Sequence, residues 1–219
     1  LHVSKSDVEA VLRESSTCKR VWIDETYIEY AGAEHSLESF AVQGENVIVC
    51  KSMSKVYALS GLRAAYLCAS PHQLEELKVI TPPWSVSLPA QIAATYALHA
   101  NDYYAMRYRE TKELREKLVQ ELSAMGITEI IPGIANFVMF HLPETMDTAE
   151  TIVKTCRDRW LFLRNVAGMG SEVGRRAMRM AVKDEETNNR MLDIFRNALN
   201  QFNSLPRRDE IREPIFTSY

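Results

Sequence analysis

Ser52-Met-Ser-Lys55-Val-Tyr-Ala-Leu-Ser60-Gly-Leu-Arg63 is the stretch whose reading decides the fold. It follows Asn46-Val-Ile-Val-Cys50, a short β-branched, apolar run that reads as a buried strand. In α/β sheets, the groups just beyond the carboxyl ends of such strands are the ones that bind ligands. Two hydroxyls (Ser52 and Ser54), one amine (Lys55), one glycine and one guanidinium (Arg63) fall within this segment. Hydroxyls and a guanidinium suit a phosphate, because charge-assisted donors match its oxygens. A lysine beside them can condense with an aldehyde.

One strand earlier, Arg20-Val-Trp-Ile23 runs into Asp24, with Tyr27 close behind. A carboxylate at that position can hold a pyridine nitrogen protonated, since a nearby anion favours the cation. Protonation turns such a ring into an electron sink. The Tyr27 phenol can donate to an oxygen at the ring's 3-position. Phosphate, aldehyde and pyridine together describe pyridoxal 5′-phosphate. No metal site is expected: the five histidines are scattered, and the four cysteines form no C-x-x-C pair.

Asp24-Glu-Thr-Tyr27 and Ser52 to Arg63 resemble the D-E-x-Y and S-x-S-K-x-x-x-L-x-G-x-R signatures of the class I/II aminotransferases. These are pyridoxal-phosphate enzymes of fold type I, and the nearest branch is the histidinol-phosphate aminotransferase group. The resemblance runs over residues 1 to 203. It implies an α/β fold: part of a large cofactor-binding domain with a mainly parallel sheet, then a small α+β domain. It implies that Lys55 is the catalytic residue, holding the cofactor as a Schiff base and shuttling a proton between the substrate Cα and the cofactor. Asp24 is implied to pair with the pyridinium and Tyr27 to contact the 3-oxygen. Ser52, Ser54 and Arg63 are implied to hold the phosphate. Arg179, in Met178-Arg-Met-Ala-Val182, matches the arginine that grips a substrate α-carboxylate. Arg164, in Phe162-Leu-Arg-Asn165, is a candidate for a second substrate anion, and Asn136 for a place near the carboxylate.

The implied activity moves an amino group between an amino acid and a 2-oxo acid, in a cytoplasmic homodimer. Two departures keep alternatives open. The family's Asn-Pro-x-Gly turn and the residues before it fall upstream of Leu1, so the N-terminal part of the large domain is expected to be missing. On that expectation the chain as it stands is a non-catalytic fragment that binds cofactor weakly or not at all. Pro83-Trp-Ser-Val-Ser87 resembles the threonine-phosphate decarboxylase branch instead, so amino-acid decarboxylation is the second reading.

Periodicity divides the rest of the chain. Residues 1–100 read as the C-terminal part of a large cofactor-binding domain, 101–203 as a small α+β domain, and 204–219 as a polar, aperiodic tail. Ser6-x-x-Glu9 is a capping-box pattern for a first helix. Ala64 to Ala69, Asn136 to Leu142, Leu161 to Asn165 and Ala177 to Val182 read as strands. Asp102 to Met125 reads as a long helix stopped by Gly126, and Asp184 as the cap of a final helix. Gly168-x-Gly170-x-x-x-Gly174 lacks the spacing of a dinucleotide loop and reads as a flexible loop over the substrate.

Composition excludes several classes. The chain has 219 residues, a formal charge of −3, 46% apolar and 25% charged residues, values ordinary for a globular protein. Near-neutral charge gives nucleic acid no basic footprint. No apolar run is long enough to span a bilayer, so no membrane partner is expected. Unpaired cysteines suggest a reducing setting.

Overall fold

The computed structural model describes residues 3–14, 20–146, 148–170 and 173–203. Cys18 and the expected tail, 204–219, lie outside the described residues. The chain forms two compact units. The first runs to Lys112 and takes in Gly133–Ala135; the second comprises Glu113–Pro132 and the chain from Asn136 onward.

In the first unit, helix α1 (Lys5–Glu14) leads to strand β1 (Val21–Asp24), helix α2 (Glu38–Gln43), strand β2 (Val47–Ser52) and strand β3 (Ala65–Cys68). Helices α3 (Pro71–Ile80) and α4 (Leu88–His99) follow, then the first half of α5 (Asn101–Ala124). Ser4, not Ser6, caps α1: its Oγ accepts the Asp7 N–H at 3.1 Å. The helix therefore starts two residues, about half a turn, ahead of the Ser6-x-x-Glu9 pattern. Strands β1 and β2 are parallel, with Asp24 opposite Cys50. Strand β3 is antiparallel to β2, with Ser52 opposite Ala65. The sheet is thus mixed. The β2–β3 connection contains only a 3-10 turn at Ser60–Leu62, too little for a crossover helix, so the chain returns beside β2 in the opposite direction. Val47, Ile48 and Val49 are fully buried, which is why β2 reads as an unbroken apolar run.

In the second unit, strands β4 (Ile130–Ile131), β5 (Phe137–His141), β6 (Arg164–Asn165) and β7 (Ala177–Ala181) form an antiparallel sheet in the order β4-β5-β7-β6. Helices α6 (Glu150–Arg157) and α7 (Glu185–Asn203) complete it. The core faces of β5 and β7, Val138 and Phe140 with Met178 and Met180, pack with Leu118, Leu122, Ile152 and Phe195. The Phe140 and Phe195 rings meet edge to face at 5.6 Å. Asp184 caps α7 as its sequence indicates, accepting the Thr187 N–H at 2.8 Å. That bond, first among the causes, holds the Asp184 carboxyl below its usual range.

The two units divide inside α5, beyond the boundary near residue 100 that periodicity suggests. Tyr104 packs on Tyr57 of the first unit at 5.0 Å, whereas Leu118 and Leu122 are buried in the second unit's core. One continuous helix changes its packing partners midway, and helical periodicity does not register the change.

Two helix ends show the same backbone solution with opposite residues. At the end of α5, Gly126 adopts φ +87°, with Ile127 N–H on Leu122 O and Gly126 N–H on Ser123 O. At the end of α6, Trp160 occupies the equivalent left-handed position at φ +64°, with Leu161 N–H on Cys156 O and Trp160 N–H on Arg157 O. A side chain costs energy there and glycine does not. Trp160 is 80% exposed, so little packing offsets that cost. Trp160→Gly is expected to stabilise the protein by about 1 kcal/mol, seen as a higher urea midpoint at unchanged slope; a lower midpoint would refute this.

Candidate active site

Parallel pairing places the ends of β1 and β2 at one edge of the sheet. Asp24 closes β1 and Ser52 closes β2; Asp24 pairs with Cys50, and side chains alternate, so Asp24, Cys50 and Ser52 share a face. Asp24 Oδ1 accepts the Thr26 backbone N–H at 2.9 Å and the Thr26 hydroxyl, leaving Oδ2 without a protein donor among the described residues. Tyr27 is half-buried just before a 3-10 turn at Ile28–Tyr30. Asp24 and Tyr27 line a cleft of ≈ 270 Å³ together with Ile23, Ile28, Leu37 and Ile134. Lys55, Ser52, Ser54 and Arg63 do not line it.

The loop after β2 is tied shut at both ends. Met53 N–H donates to Ala64 O at 3.1 Å, and Leu59 N–H to Met53 O at 3.0 Å. Met53 and Val56 are buried beneath it, while Lys55 is exposed. The loop is therefore a fixed platform that carries its amine into the open. Ser52 Oγ lies 2.8 Å from Ser54 Oγ, and the Ser54 N–H donates to Ser52 Oγ at 3.4 Å. Arg63 is exposed; one of its N–H groups donates to Ser60 O at 3.1 Å, and the others have no hydrogen-bond or ion-pair partner among the described residues. Ala58 at φ +56° and Arg63 at φ +54° both hold left-handed backbone. Backbone strain of this kind concentrates at ligand-binding loops. Hydroxyls, amide and guanidinium in one loop match an oxyanion, and the amine and the unfilled Asp24 oxygen match an aldehyde and a cationic ring nitrogen. The residues present fit pyridoxal phosphate.

In the second unit, Arg179 on β7 lies directly opposite Arg164 on β6 and Met139 on β5. The Arg179 guanidinium stacks over the Phe137 ring at 4.6 Å. Like charges facing each other across strands are destabilising, and an anion between them would relieve this. Asn136 uses its carbonyl to accept the Val182 N–H at 2.9 Å, extending the β5–β7 ladder. Gly170 and Gly174 of the glycine loop take φ +150° and +74°, and His141 Nε2 lies 2.7 Å from Val173 O within it.

A buried charge cluster that the sequence motifs do not announce lies around Lys51. Lys51, with its side chain 6% exposed, lies 2.9 Å from Glu29, 3.5 Å from Glu25 and 3.6 Å from Glu38. Glu25 also accepts the Ser36 hydroxyl at 2.7 Å and the Leu37 N–H at 2.6 Å, and the Tyr66 hydroxyl donates to Glu38 at 2.8 Å. Burial alone would lower the Lys51 pKa; the bond and charge of Glu29, then Glu38 and Glu25, outweigh it and raise the pKa. The signal was present: a lysine inside an apolar strand is rarely idle, and alternation puts it on the face away from Ser52. Cys50 and Cys68 are half-buried free thiols whose pKa burial pushes up, which makes them poor nucleophiles. Among the described residues, no group of His, Cys, Asp and Glu is arranged to hold a metal ion, and no helix is long and apolar enough to cross a membrane.

Solved structures share this architecture. The histidinol-phosphate aminotransferase of Clostridium acetobutylicum matches with a TM-score of 0.82 at 23% identity, covering 91% of this chain and 60% of that one. The Sinorhizobium meliloti histidinol-phosphate aminotransferase, solved in complex with pyridoxal-5′-phosphate, matches with a TM-score of 0.82 at 20% identity, covering 91% and 54%. The fold is therefore the α/β fold type I of these aminotransferases. The model of the class I and II aminotransferases matches residues 3–195, and the chain belongs to that family. A Methanococcus aeolicus histidinol-phosphate aminotransferase is 26% identical over 198 residues, 90% of this chain and 52% of the relative. The chain thus spans about half the length of such a curated relative.

Proposed function

We propose that the protein to which this chain belongs is a pyridoxal-phosphate-dependent aminotransferase, moving an amino group between an amino acid and a 2-oxo acid. The observation that carries this reading is the parallel register of β1 and β2, which delivers Asp24 and the Ser52–Arg63 loop to one sheet edge. On this reading the first unit, to Lys112 with Gly133–Ala135, belongs to its cofactor-binding domain, and the second unit to its small domain.

Ser52 Oγ, the Ser54 hydroxyl and Arg63 are assigned to the cofactor phosphate, by charge-assisted hydrogen bonds. Asp24 Oδ2 is assigned to the ring nitrogen and Tyr27 to the 3-oxygen. Lys55 Nζ is the amine that holds the cofactor aldehyde. When bound, the cofactor supplies an electron sink for a carbanion at the substrate Cα. Lys55 Nζ, freed when a substrate amine takes its place, takes the proton from the substrate Cα and delivers it to the cofactor carbon that carried the aldehyde, so that the amino group stays with the cofactor. Its exposed place on a tied loop lets the amine move while the loop stays fixed. Arg179 is assigned to the substrate carboxylate, Arg164 to a second substrate anion, and Asn136 to a place near the carboxylate. The crossed pair Arg164–Arg179 supports an acidic or phosphorylated substrate, as the name of the curated relatives suggests. The intact protein is assigned as a homodimer in the cytoplasm.

The test is a donor screen on the full-length protein, with oxo-acid formation read directly. Loss of Arg179 in Arg179→Ala should lower kcat/KM by about 1.5–3 kcal/mol, the worth of a hydrogen bond to a charged group. Arg164→Ala should lower it only for donors with a second anion. Carbon dioxide release without oxo acid would replace this reading with the decarboxylase suggested by Pro83 to Ser87. No turnover of any amino acid in cofactor-loaded protein would end both.

A further inference from the structure

The Lys51 cluster borders a second cleft, of ≈ 760 Å³, between the segment Glu29 to Ala33, Tyr57 and the first half of α5. Strand alternation sets Lys51 on the face opposite Asp24 and Ser52; Tyr57 of the loop after β2 forms one wall of this cleft, but Ser52, Ser54, Lys55 and Arg63 do not line it. Two polar atoms at its floor are buried without any hydrogen-bond partner among the described residues: Glu29 Oε2 and the Tyr108 hydroxyl. The Glu29 side chain is 10% exposed, and its other oxygen is taken by Lys51. A buried carboxylate oxygen left unpaired is costly and asks for a donor. Of the cluster only Glu29 lines the cleft; behind it, three carboxylates around one ammonium are net negative, so an anionic ligand is disfavoured at the floor.

The walls are phenol rings. Tyr30 and Tyr108 meet edge to face at 5.2 Å, Tyr57 and Tyr104 at 5.0 Å. Their faces attract cations. The rim carries Arg109 and Lys112, both exposed and without an ion-pair partner among the described residues. A simple cation such as a diamine meets that positive rim on entry. The arrangement calls for one molecule that is positive at the floor and negative at the mouth.

We propose that this cleft binds a free amino acid as its zwitterion. The ammonium donates to Glu29 Oε2 and the Tyr108 hydroxyl, the carboxylate meets Arg109 and Lys112, and an apolar or aromatic side chain lies along Tyr30, Tyr57 and Tyr104. This inference does not rest on the cofactor assignment. It concerns a face of the first unit that the proposed chemistry does not use.

The test uses L-phenylalanine as the probe and calorimetry on the full chain carrying Lys55→Ala, which cannot exchange an amine at position 55. Saturable binding is expected, at least tenfold weaker for 3-phenylpropionate and for phenethylamine, each of which lacks one of the two charges. Glu29→Gln should weaken it at least tenfold and Tyr108→Phe several-fold; if Glu29→Gln fails to fold, Tyr108→Phe and the double change Arg109→Ser, Lys112→Ser decide. Arg179→Ala should leave it unchanged. Binding that survives the floor and rim changes, or that vanishes with Arg179→Ala, overturns the proposal, as does the absence of saturable binding.

Discussion

Replacing Lys51 with methionine is expected to cost about 3–5 kcal/mol of stability, the penalty for removing one partner from a buried ion pair. One ammonium neutralises Glu25 and Glu29, whose side chains are 4% and 10% exposed, and touches the more exposed Glu38. Methionine fills the volume and leaves carboxylates in an apolar strand face without a counter-charge. Adding Glu25→Gln and Glu29→Gln to Lys51→Met should recover most of the loss, because the stranded charges go with it. The pH dependence follows from the raised Lys51 pKa. A base whose pKa is higher in the folded state stabilises fully below its unfolded pKa and stops doing so as pH climbs through the folded value. The contribution is therefore intact through neutral pH and fades only above the ordinary lysine range, and the Lys51→Met protein should lack that alkaline phase. Urea melts at neutral and alkaline pH check both. A loss under about 1 kcal/mol, within the ordinary range for point substitutions, would mean that the cluster contributes nothing net.

Lys55→Ala is expected to behave in the opposite way, leaving stability within about 0.5 kcal/mol, as for an exposed side chain, and lowering kcat of the full-length protein by about 10⁴-fold or more. The platform explains the separation. Met53 and Val56 anchor the loop below, and its closing bonds come from the backbone of Met53, Leu59 and Ala64, none of which needs the Lys55 side chain. The two lysines are four residues apart in sequence, yet one is a buried structural charge and the other an exposed amine. Urea melts and turnover measured on the same two variants should show the contrast.

That contrast also marks how far the sequence could be read. The strand positions and the final helix are legible because apolar runs and caps are local: β2 buries Val47 to Val49, and Asp184 receives Thr187 as a cap should. The Ser52–Arg63 loop is legible because its residue types sit beyond a strand end. Strand direction is not local, and β3 turned out antiparallel because its connection is too short for a crossover. The short helix α2 and the two-residue strand β4 carry no periodic signal. The run Leu161 to Asn165 contributes only Arg164 and Asn165 to the sheet, since Leu161 and Leu163 are spent on the core instead. The Lys51 cluster unites residues from four segments far apart in the chain, and its carboxylates look like ordinary surface acids until the fold gathers them. The face-to-face placement of Arg164 and Arg179 likewise depends on register, which a single sequence does not display.

The most direct measurement is borohydride reduction of the full-length protein loaded with pyridoxal phosphate, followed by peptide mass mapping. A phosphopyridoxyl group on the peptide that holds Lys55, abolished in Lys55→Ala and unaffected by changes at surface lysines, is the predicted result. A stoichiometric adduct on any other lysine, with Lys55 unmodified, would contradict the account.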